Sequence, residues 1–188
     1  ETIHWLERLL FLGTILGATL IALFFGAAAS NRWEMVLRLA NGESFGISDP
    51  VFGNDISFFT FTLPVLRFVQ GWLLAGFIVL LFVVTVLYLA RYAIRGIPLA
   101  VSPVMRNHLA VLGGLAFFSL AANHWFDRYG LVFQPGGAVF GATYTDINAR
   151  MLMLLLLTFI AFASGVMLLA SLLPVLQGTK GTRLIIGA

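Results

Sequence analysis

Four long stretches of the chain hold no Asp, Glu, Lys or Arg: Leu9 to Ala29, Phe68 to Ala90, Leu109 to Phe126 and Met151 to Leu173. As a helix, an apolar run of about 18 residues or more is long enough to cross about 30 Å of hydrocarbon. The runs are continuous, whereas a membrane barrel needs segments of about ten residues that alternate apolar and polar. Helices also satisfy their own backbone groups in lipid, which open sheet edges cannot do. The pattern therefore predicts an all-α polytopic membrane helix bundle. Its four transmembrane helices, at about 9–29, 68–90, 109–126 and 151–173, form a single module. Thr62-Leu63-Pro64 reads as the start of the second helix, and Thr145 or Asp146 as the cap of the fourth. Pro98 and Pro103 bracket the short link between helices two and three, and Pro174 closes helix four.

The connections 30–67 and 127–150 are long and apolar. Trp33, Val36, Leu37 and Ala40 fall on one helical face, which predicts a short interfacial helix over 33–40. Asp49-Pro50 and Gly53-Asn54 are turn chemistry. Ile56 to Leu63 alternates only in part, and reads either as a strand or as a short helix in the headgroup region. Pro135-Gly136-Gly137 between aromatic and β-branched flanks predicts a loose hairpin. Both connections are expected to pack on each other and cap the bundle, with Asp55, Asp127, Arg128 and Asp146 as polar links.

Every span carries a small-residue face. These are Gly13, Gly17, Ala18, Ala22 and Gly26 in helix one, Gly71 and Ala75 in helix two, Ala110, Gly114 and Ala122 in helix three, and Ala161 and Gly165 in helix four. Such faces let helix backbones approach closely in lipid.

Composition agrees with the pattern: 60% of the 188 residues are hydrophobic and 10% charged, with a mean hydropathy of +0.99. Soluble domains are about 25% charged. Zero Cys excludes disulfides, thiolate metal sites and catalytic cysteines. A net charge of +3 with no basic run excludes nucleic-acid binding. The link 91–106 carries Arg91, Arg95 and Arg106 and no acid, while 30–67 and 127–150 mix arginines with six acids (Glu34, Glu43, Asp49, Asp55, Asp127, Asp146). Basic residues favour the cytoplasm. Both ends and 91–106 are therefore predicted cytoplasmic, with the two long connections outside. Glu1 at the start and an apolar run at the end predict a fragment of a longer protein.

The densest polar cluster is Asn123-His124-Trp125-Phe126-Asp127-Arg128-Tyr129, at the outer end of helix three. An ionisable group in a membrane helix is a functional candidate, and at a helix end it is also an interface anchor. His124, Asp127, Arg128, Asp146 and Asp55 form the candidate polar or ligand site. His108 and His124 are candidate axial ligands for a haem or chlorophyll-type pigment, which an absorption spectrum would reveal. No other cofactor or metal is predicted. No Ser-His-Asp arrangement or phosphate-cradling glycine loop is present, so no enzymatic activity is expected.

Ser48-Asp49-Pro50-Val51-Phe52-Gly53-Asn54-Asp55-Ile56-Ser57-Phe58-Phe59, then Leu63-Pro64 and Arg67-Phe68, resembles the bacterial membrane proteins of uncharacterised protein family 0182. Arg106-Asn107-His108-Leu109, Trp125-Phe126-Asp127-Arg128-Tyr129 and Phe140-Gly141-Ala142-Thr143-Tyr144-Thr145-Asp146 follow in the same order. The resemblance covers about residues 30–150. It implies a longer bacterial protein with several spans before a large extracytoplasmic domain, and it carries no activity over.

These readings together predict a non-catalytic integral module of the bacterial cell membrane. It would anchor or dock its own outer domain or a neighbouring membrane complex, with the lipid bilayer and other membrane subunits as partners. The alternatives are a transporter or channel component, and an accessory subunit of an electron-transfer or light-harvesting complex. A transporter places polar or broken-helix elements near the midplane. Here helices one and four have no ionisable residue, and the polar groups of two and three sit near their ends.

Overall fold

The computed structural model describes residues 2–96, 98, 101–133, 135–136 and 139–173. Its helices are α1 (Thr2–Ser30), α2 (Trp33–Ala40), α3 (Leu63–Arg95), α4 (Pro103–Gly130) and α5 (Met151–Ala170). All but α2 are long and apolar enough to cross a membrane. The fold class is the predicted all-α bundle, and the interfacial segment 33–40 is α2. The hairpin at 135–140 is a two-residue antiparallel ladder, β1 (Pro135–Gly136) with β2 (Val139–Phe140). Pro174, Gly137 and the tail with Lys180 and Arg183 lie outside the described residues.

The helices exceed the charge-free runs because they continue through flanking charged residues such as Glu7 and Arg8 in α1 and Arg91 and Arg95 in α3. Ile56 to Leu63 is helical and not a strand, and a π-turn over Phe58–Thr62 leads straight into α3. Thr62 is thus mid-helix and caps nothing. Asp55 takes that role, with Oδ1 accepting from Ser57 N at 2.8 Å. A second π-turn, Asp146–Arg150, leads into α5. Neither Thr145 nor Asp146 is its cap alone. Thr143 N donates to Asp146 Oδ2 (3.0 Å) and Asp146 N to Thr143 Oγ1 (3.3 Å), a reciprocal capping box one turn earlier. α5 ends at Ala170, three residues short of the predicted boundary. Ser102 caps α4, accepting from Met105 N, with Pro103 in the first turn. Gly96 closes α3 at φ 60°, a left-handed conformation that favours glycine.

α1, α3, α4 and α5 run alternately up and down. The best-packed pair is α4 with α5, where Gly114 and Gly165 face each other. A Cβ on Gly165 would stand 3.1 Å from the Gly114 carbonyl oxygen and 2.9 Å from the Phe118 ring. Ala110 and Ala161 are buried as well. α3 joins α4 through a buried reciprocal pair: Gln70 Nε2 donates to Ser119 O (2.9 Å), and Ser119 Oγ donates to Gln70 O (3.3 Å). The small-residue faces of α1 and α3 are not used in this way. Gly13, Gly17, Gly26 and Gly71 have no neighbouring atom within 4 Å of where a Cβ would stand. Small residues permit close approach without compelling it, and lipid covers such a face as well as protein does.

Candidate functional site

The two long connections meet at one end of the bundle, here termed the cap. Residues 41–55 are shaped by two carboxylates. Asp49 is buried, and its Oδ2 accepts from Val51 N (3.0 Å) and Phe52 N (2.6 Å). Gly53 N donates to Asp49 O at 2.9 Å, a closure that needs the left-handed φ of 70° at Gly53. Asp55 accepts from Ser44 Oγ (2.6 Å), Phe45 N (3.1 Å), Gly46 N (2.9 Å) and Ser57 N (2.8 Å). The Ser44 hydroxyl, with Ser57 next, holds the Asp55 carboxyl well below the usual carboxylate range.

Aromatic rings join this loop to the end of α4. Tyr129 lies 4.7 Å from Phe52, 5.2 Å from Phe58 and 6.2 Å from Phe59, centroid to centroid. Phe59 also meets Phe133 at 5.3 Å. Leu131 is fully buried beneath. The connections therefore pack on each other as expected, but through rings rather than through the predicted set of polar links.

Of the five candidate polar-site residues, Asp127 is the one with a polar contact to another helix among the described residues. Arg67 Nη2 donates to Phe126 O (2.9 Å) and lies 3.4 Å from Asp127 Oδ1. Asn123 Nδ2 donates to Asp127 Oδ2 (2.8 Å). Arg67 and Asp127 side chains are each 41% exposed. Arg128 is not the partner of Asp127: it is buried, stacks 3.6 Å from the Trp125 ring, and donates from Nε to Trp125 O. Asp146 is buried in the capping box and pairs with Arg150 at 3.3 Å. Asp55 stays within its own loop. Four of the five residues thus belong to four separate local constellations, His124 joins none of them, and the five do not converge on one site. Sequence reasoning left Arg67 as one of several arginines open to Asp127 and missed the pairing of Gln70 with Ser119. Gln70 was visible as a lone amide in an apolar run, a signal that it needs a partner.

His124 Nδ1 is buried with no hydrogen-bond partner among the described residues. Gly113, three helical turns away on the same face, looks towards Leu168 of α5 and Leu81 of α3. His124 is therefore on the inward face of α4. His108 lies at the opposite end, with Nδ1 2.8 Å from Tyr88 Oη. Sixteen residues separate the two histidines, about 24 Å along a helix, so they cannot hold one ring between them. Among the described residues no three His, Asp or Glu side chains gather as a metal site.

The family model for "Uncharacterised protein family (UPF0182)" matches residues 3–186. The chain belongs to UPF0182. A UPF0182 protein of Thermobifida fusca is 38% identical over 171 residues, covering 88% of this chain and 16% of its own length. One of Frankia alni is 41% identical over 155 residues, 80% of this chain and 15% of its own. A third, of Synechococcus, is 35% identical over 136 residues, 71% of this chain and 16% of its own. The chain thus spans about one-sixth of the length of these UPF0182 relatives. No solved structure matches it.

Proposed function

We propose that this UPF0182 segment is a non-catalytic membrane module that anchors and docks the outer part of its own polypeptide. The observation that carries the reading is the surface of the cap. Its backbone is locked by Asp49, Asp55 and the Tyr129 ring cluster, yet Ile47 (60% exposed), Phe45 (51%) and Tyr144 (82%) stand out from it, beyond the membrane-crossing helices. Rigid loops with exposed apolar side chains are what a docking surface needs. The relatives are about six times longer than this chain, which leaves ample sequence for such a region. The concentration of Arg91, Arg95 and Arg106 supports a cytoplasmic place for their end and an outer place for the cap.

A photo-crosslinking residue at Ile47 or Tyr144 of the full-length protein, in its native membrane, should capture protein segments from the rest of the chain. One at the lipid-facing Phe82 should capture lipid. Absence of protein crosslinks at both cap positions overturns docking. His124 favours one second reading, a proton or ion path, because a buried imidazole nitrogen without a partner can take up a proton or ligand. Solute flux in proteoliposomes that His124→Ala abolishes without loss of stability would replace the anchor with a transport component.

A further inference from the structure

The seam between α1 and α3 is tied at both ends and open between them. At the cap end, Trp72 Nε1 donates to Phe25 O (3.1 Å) and the two rings meet edge to face at 5.5 Å. At the other end, Arg95 donates from Nε (3.1 Å) and Nη2 (2.8 Å) to Glu7 Oε1. Between the ties lies a groove floored by Gly13, Gly17, Ala18 and Ala22 of α1, and walled by Leu80 and Val83 of α3, with a volume of about 520 Å³. It runs into a second cavity of about 440 Å³ through shared walls at Leu10, Thr14 and Leu87. The mouth of that second cavity carries Glu7, Arg91, Arg95, Tyr88 and His108.

The charge of the mouth does not balance. Arg95 pairs with Glu7, Arg91 lies within electrostatic reach of the same carboxylate without a hydrogen bond to it, and no second acid among the described residues lines the cavity. One cationic group therefore stands over an apolar groove. From Leu9 to Ala22 the groove extends about 20 Å at 1.5 Å per residue, more than half of the roughly 30 Å hydrocarbon core. A helix about 10 Å across and that long fills roughly 1,600 Å³, more than both cavities offer. An acyl chain is thin enough to enter. We propose that the α1–α3 seam binds one anionic phospholipid. Arg91 and the polar mouth hold the phosphate, and an acyl chain lies along the glycine face of α1. Basic pockets between membrane helices are suited to anionic headgroups. The glycines of α1 then serve as the floor of a lipid groove rather than as a helix–helix contact.

Native mass spectrometry of the full-length protein tests this with three probes: dioleoylphosphatidylglycerol, dioleoylphosphatidylcholine and inorganic phosphate. Phosphatidylglycerol should be retained in preference to phosphatidylcholine. Arg91→Gln should weaken its retention about five- to tenfold, the effect of one arginine near an anionic headgroup, and Arg91→Lys should keep most of it. Gly17→Leu projects into open space, so it should fold and yet reduce retention by filling the groove. Arg38→Gln, at the cap end, should change nothing. Equal retention of the two lipids, wild-type binding in both Arg91→Gln and Gly17→Leu, or binding of inorganic phosphate as tight as that of phosphatidylglycerol would each overturn the proposal. So would capture of a protein helix in the groove in place of lipid.

Discussion

Gly165→Ala and Gly17→Ala make the same chemical change in two long apolar helices, and only the first should lower stability. On α5, the new methyl would stand 2.9 and 3.0 Å from two Phe118 ring atoms and 3.1 Å from Gly114 O. The ring can swing, but the carbonyl belongs to the facing backbone, so the helices must separate by a few tenths of an ångström. Overpacking of this kind costs about 1–3 kcal/mol. The usual helix-propensity gain of Ala over Gly, about 1 kcal/mol, does not offset it fully. In lipid the separated helices are still helical, so that gain largely cancels. The folding equilibrium should shift about five- to 150-fold. On α1, the Gly17 methyl meets nothing within 4 Å, and the expected change is about zero. Unfolding of the full-length protein by SDS titration from mixed micelles, followed by tryptophan fluorescence, reads both variants on one scale. Wild-type stability in Gly165→Ala would refute the close α4–α5 crossing. Equal losses in the two variants would refute the open α1–α3 seam.

Further expectations concern the cap and its sidedness. Asp127→Asn should cost at most about 1 kcal/mol, because Arg67 and Asp127 are part-exposed and 3.4 Å apart, and because Arg67 keeps its bond to Phe126 O; a loss above about 3 kcal/mol in the same titration would show a buried charge pair instead. The Asp55 carboxyl is held below its unfolded value, so its contribution is fully present above the ordinary carboxylate range and is lost as pH falls through the depressed folded value. Protection of residues 44–57 against hydrogen exchange, taken relative to the unstructured rate at each pH, should therefore be constant from neutral pH to about pH 4 and fall only below it; Asp55→Asn should lower protection there at neutral pH, and no change would remove Asp55 as the organiser of the loop. In a cysteine-free full-length background, Ser44→Cys should label from outside the cell and Ser102→Cys only after permeabilisation; the reverse would invert the orientation.

The four helices long and apolar enough to cross a membrane were legible in the sequence because hydropathy and the need to satisfy the backbone in lipid act along the chain, one segment at a time. So were the turn at Asp49-Pro50 and the short α2, each a local matter of backbone and neighbouring side chain; the caps at Ser102 and Gly96 emerged only with the structure. Partners were not. Asp127 could have met Arg67, Arg128 or Arg150, and only the antiparallel placement of α3 beside α4 brings Arg67 within reach while Arg128 turns onto Trp125. Ile56 to Leu63 could have been a strand or a helix, since its phenylalanines suit either; Asp55 capping and the stacking on Tyr129 make it the first turns of α3. The glycine faces of α1 and α5 look alike in one dimension. Lipid and protein interiors are equally apolar, so no hydropathy pattern tells a helix which of its faces another helix will cover. The tertiary structure closes Gly165 against Gly114 and leaves Gly17 facing an open groove.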